Sequence, residues 1–295
     1  MQLNSSLELN TSILKRPWRE LEFVGFDTET TGKYPLTSEI CELAGVKWRD
    51  GKIIDKFSTL IKPSKEMGSE VIAIHGISNE MVSDAPTIDQ KIAQFRDFIG
   101  GSGSSPSLGP ILIAHHAPFD LGFVSIEFEK KGLVLPNLPV ICSSLLSRRL
   151  FPESKNHRLQ TLIDFFGFER GSAHRAYDDA VACLGVGLKC FEKVGVESTL
   201  ESVTTIQGGP LWWERFSMKA LENDSRYKAL MVGSQEQWVM NMVYSSGSSP
   251  GESRRIHPMG LVRSLDGDFL VAYCEKDQKS KRYLLERIVS VERAR

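Results

Sequence analysis

The residues able to do chemistry in this chain are five carboxylates and a histidine, spread over three short stretches. FVGFDTETTG closes an apolar run with Asp27 and Glu29 one residue apart, PILIAHHAPFD delivers Asp120, and AHRAYDDA supplies His174, Asp178 and Asp179. Acidic side chains are rarely enclosed unless they are paired or bind a metal. Alternate residues of a strand point to one side, so Asp27 and Glu29 project together. Anionic oxygens gathered at one site repel unless cations neutralise them. Hard oxygen donors with no thiolate among them suit Mg²⁺ or Mn²⁺ better than zinc. Two such ions about 3.5–4 Å apart can activate a water, clamp a phosphate and stabilise a leaving oxygen.

The elements that must position these groups follow from periodicity and turn residues. Residues 21–27 read as a buried strand, and 39–48 and 52–61 as a hairpin about Asp50-Gly51, whose two residues tolerate positive φ. Apolar spacing predicts a helix from Thr87 to Ile99, ending at Gly100-Gly101, and residues 100–110 read as a flexible loop. A short strand over 110–117 passes into a helix over 118–132, opened by proline and closed by glycine. Further helices are expected near 142–150, 158–166 and 175–194. Strands first, then strand–helix alternation, give an α/β class with a mixed sheet flanked by helices. Asp178 reads as a solvated carboxylate at a helix N-terminus, where the dipole favours it.

FDTETTG, HHAPFD and HRAYDDA, in this order, resemble the three motifs of the DEDDh 3′–5′ exonucleases, especially their proofreading-subunit branch, over residues 20–195. The resemblance implies an RNase H-like fold. It also implies that Asp27, Glu29, Asp120 and Asp179 hold two Mg²⁺ or Mn²⁺ ions, and that His174 is the general base for the attacking water. Histidine's ordinary pKa of about 6.5 suits that transfer near neutral pH. His174 and Asp179 are five residues apart, the histidine form of the third motif. On one helix they would stand roughly 140° out of register, so His174 belongs on the loop before it. IHGIS (74–78) looks like the branch's substrate-contacting loop, with His75 at the terminal nucleotide and Ile77 as a wedge against its base. Thr28 and Thr30 are expected near the 3′ end. His116 stands where the family usually has asparagine and is expected to make an equivalent hydrogen bond. Phe119 reads as core.

Beyond about residue 195 the character changes, and residues 196–220 read as a linker between a domain over 1–195 and another over 221–295. A helix is expected over 218–236, followed by strand-like runs separated by GSSPGE, LDGD and KDQKS, a small β-rich domain. RRIHPMGLVRS, DFLVAYCE and KRYLLERIVSVE resemble the WYL domain, which implies a small Sm/SH3-like β-barrel linked to nucleic-acid or nucleotide-like ligands. The name-giving tripeptide is here Asp268-Phe269-Leu270. Residues 253–295 hold ten Lys/Arg against six Asp/Glu, a local basic excess that agrees with phosphate binding. Arg254, Arg255, Arg263, Tyr273, Arg282 and Arg287 are the expected ligand-facing residues.

The whole chain has a net charge of −1, so a nucleic-acid partner requires a local basic surface. The five cysteines, odd in number and without CxxC spacing, favour reduced thiols in a cytoplasmic setting. No apolar run approaches the roughly 18–20 residues of a membrane span, and the first twenty residues lack a signal-peptide core. The expected activity is hydrolysis of single-stranded DNA 3′ ends to nucleoside monophosphates. An exoribonuclease on short RNA and a nucleic-acid-sensing regulator with weak nuclease activity fit the same residues.

Overall fold

In the computed structural model, residues 13–100, 109–247 and 249–294 are described; the loop expected over 100–110 lies mostly outside them. β1 (Phe23–Thr30), β2 (Ile40–Arg49) and β3 (Lys52–Leu60) form an antiparallel meander. Asp50 and Gly51 take φ of 50° and 84°, the doubly left-handed turn that a two-residue hairpin needs. β4 (Ile111–Ala114) and β5 (Val140–Cys142) add in parallel, giving the order β3-β2-β1-β4-β5. Helices α1 (Ser69–His75), α2 (Asn79–Val82), α3 (Ile88–Phe98), α4 (Pro118–Lys130), α5 (Ser143–Leu150), α6 (Leu159–Phe166), α7 (Ala176–Val194) and α8 (Leu200–Gln207) complete this unit.

Two apolar clusters lie on opposite faces of the mixed sheet. One joins Phe23, Val46, Ile113, Leu184 and Phe191 under α7, and the other joins Phe26, Phe95, Leu112, Phe128 and Trp213. Gly25 matters here, because a Cβ at that position would meet the Ala180 carbonyl at 2.5 Å. Its absence lets α7 settle directly on the face of β1 that also carries Asp27 and Glu29.

The segment 196–220 is not a tether, which corrects the expected linker. Leu200 and Val203 of α8 enter the α7 cluster, and Trp213 and Phe216 are fully buried in the opposite one. Trp213 stacks on Phe26 with ring centroids 6.1 Å apart. Leu211 pairs with Val140 through two 2.9 Å backbone hydrogen bonds, and Gln207 accepts the Cys142 N–H at 3.0 Å. The free edge of β5 is thereby covered rather than exposed to another chain. Tryptophan at the end of a Gly-Gly-Pro stretch gave no periodicity to betray its burial.

The expected helix over 218–236 is broken. Lys219–Asn223 forms a 3₁₀ turn, Asp224 caps a new helix by accepting the Arg226 N–H at 2.9 Å, and α9 runs Ser225–Gln235. Beyond it, β6 (Met240–Tyr244), β7 (Ser253–Val262), β8 (Phe269–Cys274), β9 (Lys279–Leu284) and β10 (Ile288–Arg293) form an antiparallel sheet in the order β10-β6-β7-β8-β9. The run KRYLLERIVSVE supplies two strands, because a 3₁₀ turn at Leu285–Arg287 divides it. Ile126 of α4 joins the core of this sheet, and Gly260 packs so close that a Cβ would stand 2.4 Å from that of Tyr34. Among the described residues no helix is long and apolar enough to cross a membrane.

Candidate active site

Asp27, Thr28, Glu29, His116, Asp120, His174 and Asp179 line one pocket of about 720 Å³. β1 contributes the first three. Asp120 stands in the first turn of α4, two residues past its opening proline, and Asp179 in the first turn of α7. His174 lies before α7 in a left-handed conformation (φ 58°), exposed, with its N–H donating to Asp179 Oδ2 at 3.2 Å. Glu29, His174 and Asp179 bring ligand atoms within 4.8 Å of one another.

Crowding and burial govern the electrostatics. Burial holds the Asp27 carboxyl well above its usual range, and repulsion from Asp120, Glu29 and Asp179 adds to it. Glu29 is pushed up to about 8, by burial first and then by Asp179, Glu42 and Asp120, with Arg175 pulling the other way. Asp120 rises to about 7, since burial outweighs the hydrogen bonds it accepts from Thr28 N (3.0 Å) and Oγ1 (2.8 Å). Asp179 rises to about 6, burial again outweighing the pull of His174. Four carboxyls raised for one reason are a donor set whose mutual repulsion a divalent cation relieves, so the residues fit a hard metal.

Beyond the predicted set, the Glu42–Arg175 pair and His115 hold this geometry. Glu42 lies directly opposite Glu29 in the β1–β2 ladder, a like-charge pair that is unfavourable by itself. Arg175 answers it with Nη2 to Oε1 at 2.8 Å and Nε to Oε2 at 3.1 Å, and the Ala176 N–H donates to Oε2 at 2.9 Å. The only signal was an isolated glutamate inside an apolar strand. Burial pushes the His115 imidazole down to about 4, so it is neutral. The His157 carbonyl, 3.0 Å from Nε2, can only accept; the proton is therefore on Nε2, and Nδ1 accepts from Ser143 Oγ at 2.8 Å.

Several expected positions are placed elsewhere. Ile77 is fully buried against Cys41, Met67 and Val82, so it is no wedge. His75 is buried, and its Nδ1 accepts the Ile77 N–H at 3.0 Å, organising the loop rather than facing the pocket. Thr30 turns its hydroxyl to the Gly32 carbonyl at 2.7 Å. Phe119, expected as core, is only partly buried and lines the pocket.

In the C-terminal sheet Arg254 is 5% exposed, donates to the Ser249 carbonyl at 2.7 Å and lies over the rings of Tyr244 and Tyr283, a core anchor rather than a ligand contact. Arg263 is also turned inward, donating to the Ser217 carbonyl. Arg255 pairs with Glu275 at 3.2 Å, Tyr273 donates to Gln278 at 2.8 Å, and Arg287 donates to Ser246 at 3.3 Å; all three stay at the surface.

His116 has φ 63°, the left-handed region that asparagine, aspartate and histidine tolerate better than other side chains. That explains why histidine can stand in an asparagine position. His116→Asn will keep the folded stability, whereas His116→Val will lose about 1–2 kcal/mol in chemical denaturation. Equal midpoints for the two variants would remove the backbone explanation.

Residues 24–186 match the exonuclease family RNase_T, and residues 228–293 match the WYL domain. Similar curated proteins include the PolC-type DNA polymerase III of Halalkalibacterium halodurans, 40% identical over 166 residues (56% of this chain, 11% of that protein), and that of Bacillus subtilis, 40% identical over 174 residues (59% and 12%). This chain thus spans only about a ninth of their length. The fold is like that of the nuclease domain of 3′hExo, a DEDDh family member bound to rAMP (17% identity, TM-score 0.51, 60% of this chain and 95% of that one). It is also like exonuclease I (14% identity, TM-score 0.50, 86% and 55%).

Proposed function

The chain belongs to the RNase_T exonuclease family and carries a WYL domain behind that unit, and from this premise we propose that it degrades single-stranded DNA from the 3′ end, releasing nucleoside monophosphates. The single observation that carries the reading is the convergence of Asp27, Glu29, Asp120, Asp179 and His174 on one pocket. DNA is favoured over RNA by the 40% identity to PolC-type DNA polymerase III chains.

Asp27, Glu29, Asp120 and Asp179 would hold two Mg²⁺ or Mn²⁺ ions, which when bound neutralise the scissile phosphate and make water easier to deprotonate. The rest falls to the chain's own groups. His174, exposed and on a loop, accepts the proton of the attacking water and can pass it to solvent. Thr28 fixes Asp120 through two hydrogen bonds. Neutral His115 ties β4 to the loop at His157, next to the pocket-lining Arg158 and Leu159. The C-terminal sheet, read as a Sm/SH3-like barrel, binds the strand or tunes its degradation. We extend the nuclease domain through Phe216, because Leu200, Val203, Trp213 and Phe216 complete its core, and place the accessory domain over 221–295.

A time course on 5′-labelled single-stranded DNA, duplex DNA and RNA of one sequence tests this. Shortening from the 3′ end, fastest on single-stranded DNA, is expected with Mg²⁺ or Mn²⁺ and none with EDTA. His174→Ala will slow it roughly 10²–10⁴-fold. Cleavage that survives EDTA, or full activity without His174, refutes the mechanism; preference for RNA reassigns the substrate.

A further inference from the structure

A second pocket, of about 370 Å³, lies between the two domains. His116, Pro118 and Phe119 form its nuclease wall, and Arg263, Phe269 and Arg282 its C-terminal wall. His116 and Phe119 also line the catalytic pocket, so the two cavities meet across these side chains.

The charges in the second pocket are unevenly used. Asp268 is taken by Arg215 at 2.8 Å and Arg263 at 3.3 Å. The Arg263 contact lacks hydrogen-bond alignment, so its buried Nε has a charge partner but no hydrogen-bond partner among the described residues. Arg282 is exposed, and its guanidinium lies 3.8 Å from the centroid of the Phe269 ring. Among the described residues it makes no ion pair; Asp268 lies behind the lining, and Asp266 is the one carboxylate among the described lining residues. Arg148 and Arg158 line the catalytic pocket and are likewise without ion pairs there.

A guanidinium free of ion pairs, stacked on one aromatic ring in a pocket that a second, partly buried ring also lines, is a combination suited to a phosphate and its base together. We propose that this interdomain pocket seats the nucleotides immediately upstream of the scissile bond. Arg282 holds a backbone phosphate, and Phe269 with Phe119 offers faces to a base. The proposal rests on the exonuclease reading. It makes the C-terminal domain part of the substrate groove and not a separate sensor.

The test compares hydrolysis of a single-stranded DNA 20-mer with that of the p-nitrophenyl ester of thymidine 5′-monophosphate, which fills only the catalytic pocket. Arg282 is a surface side chain, so Arg282→Gln should fold; its melting curve checks this. The ratio of kcat/KM for the 20-mer to that for the ester is expected to fall about tenfold, through KM. The slope of log KM against log salt should drop by about one, and Arg282→Lys should recover that slope. A wild type that hydrolyses both substrates, with a ratio unmoved by Arg282→Gln, overturns the assignment alone. A wild type that hydrolyses neither overturns the exonuclease reading as well.

Discussion

Glu29→Gln will hydrolyse far more slowly than the wild type and, in EDTA at pH 8, melt at a higher temperature. Loss of several kcal/mol of transition-state stabilisation, at 1.36 kcal/mol per decade, lowers the rate about 10³-fold. The stability gain has a definite pH course. The folded protein keeps the Glu29 proton up to about 8, whereas the unfolded chain releases it near the ordinary value of 4.5. Between those limits the native state binds more protons, so raising the pH lowers stability, and the loss is complete above the folded value. Glutamine copies the protonated form and escapes this. The difference in melting temperature should therefore be near zero at pH 4.5 and grow through pH 8. It should reverse when Mn²⁺, which binds only the native wild-type site, is added. At pH 8 the gap is on the order of 1–3 kcal/mol, the ideal linkage reduced by relaxation and water. A difference that stays flat with pH would mean that these carboxyls do not crowd one another.

The second large effect belongs to Glu42 and Arg175. Glu42 has a side chain 3% exposed, and its partner's is 36% exposed. Arg175→Ala leaves an unpaired buried charge opposite Glu29, so it should cost about 3–5 kcal/mol. It also frees the residue after His174 and should lower kcat roughly 10–100-fold, as loss of an orienting partner does. Glu42→Gln still offers an acceptor to the Ala176 N–H and removes one negative charge from the cluster, so it should cost far less. Urea denaturation of both single variants and the double variant checks the order. The double variant should be more stable than Arg175→Ala alone, because no buried charge is left stranded; additive losses would contradict the pairing.

These two predictions mark what the chain discloses in one dimension and what it hides. Asp27, Glu29, Asp120, His174 and Asp179 are recognisable because each sits inside a short motif on a predictable element, and their meeting needs only the order of those elements. The turn at Asp50-Gly51 and the helices over 118–130 and 176–194 are local in the same sense. Glu42 and Arg175 are 133 residues apart, and only the exact strand register puts one opposite Glu29. His75 and Ile77 sit in a familiar loop, yet their orientation depends on what Cys41, Met67 and Val82 leave open. Arg254 alternates correctly with its neighbours along β7, but facing inward between two tyrosines. Charge alone suggested a surface.

Trp213 has one further consequence, for the modularity of the gene. Its ring lies beneath Phe26, the residue before the first catalytic carboxylate, although it belongs to the segment leading into the next domain. A fragment cut at residue 195 would be a nuclease with its floor removed: Phe26, Phe128 and the edge of β5 would all lose their cover. A cut at residue 195 therefore cannot separate the two domains without opening the nuclease core. A transplanted catalytic module must carry residues to at least Phe216 with it.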